Sequence, residues 1–154
     1  MKKDIIICNT YFQLIEAIQL KNTLFLHESV TVVFSDHSRN AENIIKQIKS
    51  LDIFEQCFFW SSLKKMKEQE KNSHENRRLL LCEINGKNGY GNPFESGICD
   101  ELIYYNQFDN LKVVFAELYE KNPQIKISRF EEGIFSYADG EYLAKKDKIV
   151  NPLR

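Results

Sequence analysis

The 154-residue chain has no long apolar run, no paired cysteine spacing and no excess of either charge. Each absence excludes something. A membrane-spanning helix needs ~20 apolar residues in succession. Ile5-Ile6-Ile7-Cys8, which follows Met1-Lys2-Lys3, is too short for that or for a secretory signal. Any membrane association is therefore expected to be peripheral. A formal net charge of −1 leaves no broad surface for a polyanion, which argues against nucleic acid as a partner. The locally basic stretch from Lys64-Lys65-Met66-Lys67 to Arg77-Arg78 is interleaved with Glu68, Glu70 and Glu75, and reads as a solvated helix face. Cys8, Cys57, Cys82 and Cys99 form no C-x-x-C, and His27, His37 and His74 are scattered among polar residues. That pattern predicts a reducing, cytoplasmic setting with neither disulfides nor a metal.

Several catalytic signatures are missing too. The turn after the first apolar run, Asn9-Thr10-Tyr11, has no glycine, so the dinucleotide fingerprint is absent there. Gly86-Lys87-Asn88-Gly89-Tyr90-Gly91 is glycine-rich, but no Gly-Lys-Ser/Thr follows, and it reads as a surface loop rather than a phosphate cradle. No G-x-S-x-G elbow exists for a hydrolase nucleophile. A phospho-acceptor domain would carry acids where Cys8-Asn9 stand.

What is present is an alternation of strand and helix patterns. With 43% hydrophobic and 28% charged residues, the chain suits one globular domain. Asp4–Cys8, Val30–Phe34, Gln56–Trp60, Glu101–Tyr105 and Ile125–Phe130 read as strands. Tyr11–Leu24 reads as a helix, with Phe12, Ile15 and Ile18 recurring at helical spacing, Leu14 a further candidate for that face, and Thr10 with Gln13 forming a capping box. Ala41–Ser50 is a second helix with Ile44, Ile45 and Ile48 inward. A long charged helix follows from Ser61 or Ser62 to about Arg78, and another spans Asn110–Lys121. Leu79–Ile84 is ambiguous between helix end and strand. Glu83–Gly97, with four of the six glycines and Pro93, reads as an irregular loop. Phe135–Ala144 is either a helix start or irregular. The order predicts an α/β fold: a Rossmann-like parallel sheet with helices on both faces.

The last strand ends at Glu131-Glu132-Gly133. In an open α/β sheet the carboxyl ends of the strands border the ligand crevice. A carboxylate there suits a general base acting on a hydroxyl, and glycine permits a sharp turn behind it. The same acids equally suit the positive end of a following helix. Side chains alternate along an extended segment, so only one of the two acids would face the crevice.

Two patterns together resemble a known group. Cys8-Asn9-Thr10-Tyr11-Phe12-Gln13-Leu14 resembles the Cys-x-Thr-Pro-Leu-Gln-type start of bacterial sialyltransferases in glycosyltransferase family 52, with Tyr11 replacing the usual proline. Glu131-Glu132-Gly133, with Ser136-Tyr137 downstream, resembles the acidic-acidic-glycine motif of related capsular sialyl- and polysialyltransferases. The resemblance implies a two-domain GT-B enzyme with a cleft between its domains. Residues 1–154 would be a single N-terminal, acceptor-side domain. The nucleotide-sugar domain, with its His-Pro motif, would be absent, since neither His27, His37 nor His74 precedes a proline. The isolated domain is then expected to be inactive, and its uncovered cleft face to favour a homodimer.

The implied partners are a glycan acceptor and CMP-sialic acid, in capsule or lipooligosaccharide synthesis, with no cofactor and no metal. Glu131 is expected as the base, with Glu132 positioning the loop and raising the proton affinity of Glu131. Asn9, Thr10, Gln13, Gly133 and Ser136 are expected to border the substrate. Thr10 and Gln13 also have the capping role open to them. Two other readings stand beside this one: a non-catalytic α/β module that binds a sugar or a protein, and a glycosyltransferase using another donor.

Overall fold

Five short segments rich in apolar and β-branched residues become the strands of one sheet in the computed structural model, which describes residues 1–61, 94, 99–105, 114–115 and 118–130. They are β1 (Lys3–Cys8), β2 (Ser29–Ser35), β3 (Gln56–Trp60), β4 (Glu101–Tyr104) and β5 (Lys126–Arg129). The strand order is β3-β2-β1-β4-β5, and every neighbouring pair is parallel. β1 is therefore central, which explains why Ile5, Ile6, Ile7 and Cys8 are all buried: a strand covered on both faces needs apolar residues at every position.

Helix α1 (Tyr11–Asn22) connects β1 to β2, and α2 (Ala41–Ser50) connects β2 to β3. Both lie on one face, where Ile6, Val32, Phe34 and Ile103 meet Leu14, Ala17 and Ile45. The opposite face holds Ile5, Ile7, Phe58, Trp60 and Leu102 against Phe94, Val114 and Leu118. Positions 114–115 and 118–121 are helical, so helical residues pack on both faces. This is the expected α/β arrangement. Cys8, Cys57 and Cys99 are free thiols; burial pushes Cys57 up to about 11 and Cys99 to about 12. Among the described residues no helix is long and apolar enough to cross a membrane.

The inward face of α1 differs from the expectation. Leu14 and Ala17 are buried, and Ile18 and Leu20 are partly so, but Phe12 and Ile15 are 55% and 56% exposed. The helix carries apolar residues on more than one side, so spacing alone does not choose which side meets the sheet. Its capping box settles the rotation, because Gln13 turns inward to serve the backbone. In α2 the expected face is the observed one, with Ile45 buried and Ile44 and Ile48 packed beside it. The charged helix to Arg78, the Leu79–Ile84 run and the Phe135–Ala144 segment lie outside the described residues. So does the Glu83–Gly97 loop apart from Phe94.

Candidate functional site

The chain leaves β1 on one side toward β2 and β3, then returns to its other side as β4. The carboxyl ends of β1 and β4 thus flank the point where the strand order reverses, the usual site of a ligand crevice in such sheets. The residues at this edge are Asn9 after β1, Ser35 at the end of β2 with the turn to Ser38 after it, Tyr105 after β4, and Phe130 after β5.

Asn9 is the centre of a buried polar cluster. Cys8 is in register with Phe34, so Asn9 falls beside Ser35. Ser35 Oγ donates to Asn9 Oδ1 at 2.6 Å and accepts the His37 N–H at 3.3 Å. Ser38 Oγ donates to the Asn9 carbonyl at 3.0 Å. Both Asn9 and Ser35 are essentially inaccessible, at 1% and 0% exposure. Asn9 Nδ2 is buried with no hydrogen-bond partner among the described residues. An unmatched buried donor costs about 1–3 kcal/mol, so its presence at the edge where such sheets usually bind ligands makes Asn9 a candidate.

The next residues shape the turn. Gln13 Oε1 accepts from Asn9 N at 2.6 Å and from Thr10 N at 3.3 Å, and Thr10 Oγ1 accepts from Gln13 N at 3.3 Å. Thr10 and Gln13 are thus both engaged in the capping box, and Gln13 is fully buried. Tyr11 ties this turn to the loop after β2. Its hydroxyl donates to the Arg39 carbonyl and its ring lies 5.8 Å from that of Phe34.

β5 reaches the same edge. Tyr104 is in register with Arg129, Phe130 N donates to the Tyr104 carbonyl at 2.8 Å, and Arg129 Nε donates to the Tyr105 carbonyl at 3.1 Å. The Phe130 ring lies 6.2 Å from that of Tyr105. Glu131, Glu132, Gly133 and Ser136 lie outside the described residues. Asn9, Thr10 and Gln13 are brought together. Ser35 and Ser38 belong with them, although sequence reasoning missed both. Their only local signal is a serine directly after an apolar strand, and partnership with Asn9 follows from the β1–β2 register.

The amino edge of the sheet, at the other end of the strands, carries a separate ionic network. Lys2 Nζ lies 3.2 Å from Asp4, 3.4 Å from Glu28 and 2.8 Å from Glu101, and Lys126 Nζ lies 3.0 Å from Glu101. Burial pushes the Asp4 carboxyl up to about 7, aided by its hydrogen bond with Glu28 and opposed by Lys2. Burial also acts to raise Glu101, but hydrogen bonds with Lys2, Ser128 and Lys126 outweigh it and hold Glu101 at about 2. Among the described residues no group of three or more His, Cys, Asp or Glu side chains could hold a metal ion.

A family described as alpha-2,8-polysialyltransferase (POLYST) matches residues 4–153 of the chain. No curated protein matches it.

Proposed function

The chain belongs to the alpha-2,8-polysialyltransferase family, and from that premise we propose that it supplies the acceptor-side half of a GT-B sialyltransferase using CMP-sialic acid in capsule or lipooligosaccharide synthesis. Membership makes it a sialyltransferase-like glycosyltransferase, acting on a sugar donor and a glycan acceptor. The proposal adds the roles of particular residues. Glu131 removes the proton from an acceptor hydroxyl. The oxygen then bonds to the sialyl anomeric carbon as the bond to the CMP phosphate oxygen breaks, and CMP leaves with that electron pair. Glu132 positions the loop. Asn9, Thr10, Gln13, Gly133 and Ser136 border the acceptor, with Asn9 offering its buried amide and the capping pair holding the turn. The proposed setting is cytoplasmic, with peripheral membrane association and a homodimer as further parts of the same reading.

One observation carries this reading furthest. β5 ends beside β4 at the edge where the strand order reverses, and Glu131-Glu132-Gly133 are the next residues in the chain after Phe130. That supports a carboxylate at the ligand edge rather than on an outer surface.

The test is transfer from CMP-sialic acid by the complete enzyme. Glu131→Gln is expected to reduce turnover at least about a hundredfold, as loss of a general base does, while the thermal midpoint stays in place. Glu132→Gln is expected to retain most activity. Near-normal turnover by Glu131→Gln would remove that residue from the role of base.

A further inference from the structure

Asn9 has four polar groups, and three of them are matched: its N–H donates to Gln13 Oε1, its carbonyl accepts from Ser38 Oγ, and its Oδ1 accepts from Ser35 Oγ. Nδ2 is left unmatched among the described residues, and it is buried. We infer that Ser35 is a positioning residue, which fixes the Asn9 side-chain amide so that Nδ2 donates to an oxygen of the acceptor glycan. The inference rests on the reading of this chain as an acceptor-side glycosyltransferase domain. It adds to that reading the polarity of one contact and the residue that sets it.

An asparagine amide can lie either way round, and a proton count decides its orientation here. Ser35 Oγ accepts the His37 N–H, a group that can only donate. The Ser35 hydroxyl proton is then directed at Asn9 Oδ1. Turning the amide round would bring Nδ2 to Ser35 and leave two buried groups unmatched, the Ser35 proton and Oδ1, in place of one. That is the costlier arrangement. Without the Ser35 hydroxyl the preference disappears.

With Oδ1 turned toward Ser35 on β2, the planar amide carries Nδ2 away from it. The point where the strand order reverses lies on the other side of β1, between β1 and β4. An amide nitrogen donates only. The group that meets it is therefore an oxygen offering a lone pair: a ring or glycosidic oxygen, a carbonyl, a carboxylate, or a hydroxyl whose own proton is directed elsewhere. Asn9 is tied on three sides, so little freedom is lost when the donor engages. Its burial keeps water from competing and strengthens the bond it forms. Hydrogen bonds of catalytic sites commonly close fully only in the complex with substrate.

Two measurements test this. In the 154-residue chain, NMR follows the Asn9 side-chain amide during titration with oligosialic acid and, separately, with lactose. At least one of the two glycans is expected to move its N–H signals downfield, and Ser35→Ala to lose most of that shift. In the complete enzyme, Ser35→Ala and Asn9→Ala are each expected to raise KM for the glycan that binds about tenfold, as the loss of one hydrogen bond predicts. In both variants kcat is expected to change little. Because Ser35 acts through Asn9, the double variant is expected to be no worse than Asn9→Ala alone. Ser35→Thr, which keeps the hydroxyl, is expected to stay near the wild type. The inference is overturned by Asn9 signals that neither glycan moves, by an unchanged KM in Ser35→Ala, or by losses that multiply in the double variant. Failure of the broader reading looks different: Glu131→Gln would keep its transfer activity while the Asn9 shift persisted.

Discussion

Asp4 is a carboxyl group inside a sheet, and its neighbours decide which protonation state the fold holds. Its side chain has no solvent exposure, and one ammonium, Lys2, is shared among Asp4, Glu28 and Glu101. Lys2 is itself raised: burial pulls it down, but hydrogen bonds with Glu101 and Asp4 more than offset that. The divided charge is too little to keep the buried Asp4 ionised, so it stays protonated up to about pH 7, and Glu28 beside it is lowered in turn. The unfolded chain releases the same proton near pH 4. Between those values the native state holds more protons, so stability falls as pH rises from about 4 to 7 and is level above. Glu28 and Glu101 have the opposite sign: their contributions are complete above about pH 4.5 and are lost as pH falls below it. From these groups together, stability should peak near pH 4–5. Urea unfolding across pH 4–8 is expected to show the wild type losing on the order of 1–3 kcal/mol, and Asp4→Asn a flatter profile. Equal slopes in the two proteins would mean that Asp4 ionises normally in the fold. An aspartate opening an apolar strand gives no local sign of this, because Glu28 and Glu101 reach it only through the sheet.

At the scale of the element, α1 shows what sequence reveals and what it leaves open. The capping box was legible because its two members are three residues apart, and local chemistry needs no tertiary contact. The buried face was not, because Phe12 and Ile15 compete with Leu14 and Ala17 for the role of core side. The strands were read within a residue or so at each end, since runs such as Val30–Phe34 and Gln56–Trp60 are dense in β-forming residues. The candidate site was legible as a strand-end turn with Asn9, Thr10 and Gln13. The Ser35 and Ser38 contributions were not, because register between β1 and β2 is a long-range property. The cap has a measurable consequence. Thr10→Ala is expected to cost about 1 kcal/mol in chemical denaturation. Thr10→Ser, which keeps an oxygen for the Gln13 N–H, should recover most of it. A fully stable Thr10→Ala protein would show that Gln13 alone holds the turn.

The whole molecule is a sheet whose strands differ sharply in how much of the fold depends on them. β1 pairs on both sides and is covered on both faces, so every side chain from Asp4 to Cys8 is buried. Among the described residues β5 pairs on one side, with β4, and its pattern is largely exposed, with Ile127 at 41%. The same substitution in the two strands should therefore have unlike effects. Ile7→Ala removes buried methyl and methylene groups from a packed interior and is expected to cost about 2–5 kcal/mol. Ile127→Ala removes partly hydrated ones and is expected to cost under about 1 kcal/mol. Urea midpoints of the two variants, measured at several protein concentrations, make the comparison. A large, concentration-dependent loss for Ile127→Ala would mean that β5 is covered in solution by a second copy of the chain. A small, concentration-independent loss would leave β5 as an open edge, with the strand end that leads to Glu131 accessible from solvent.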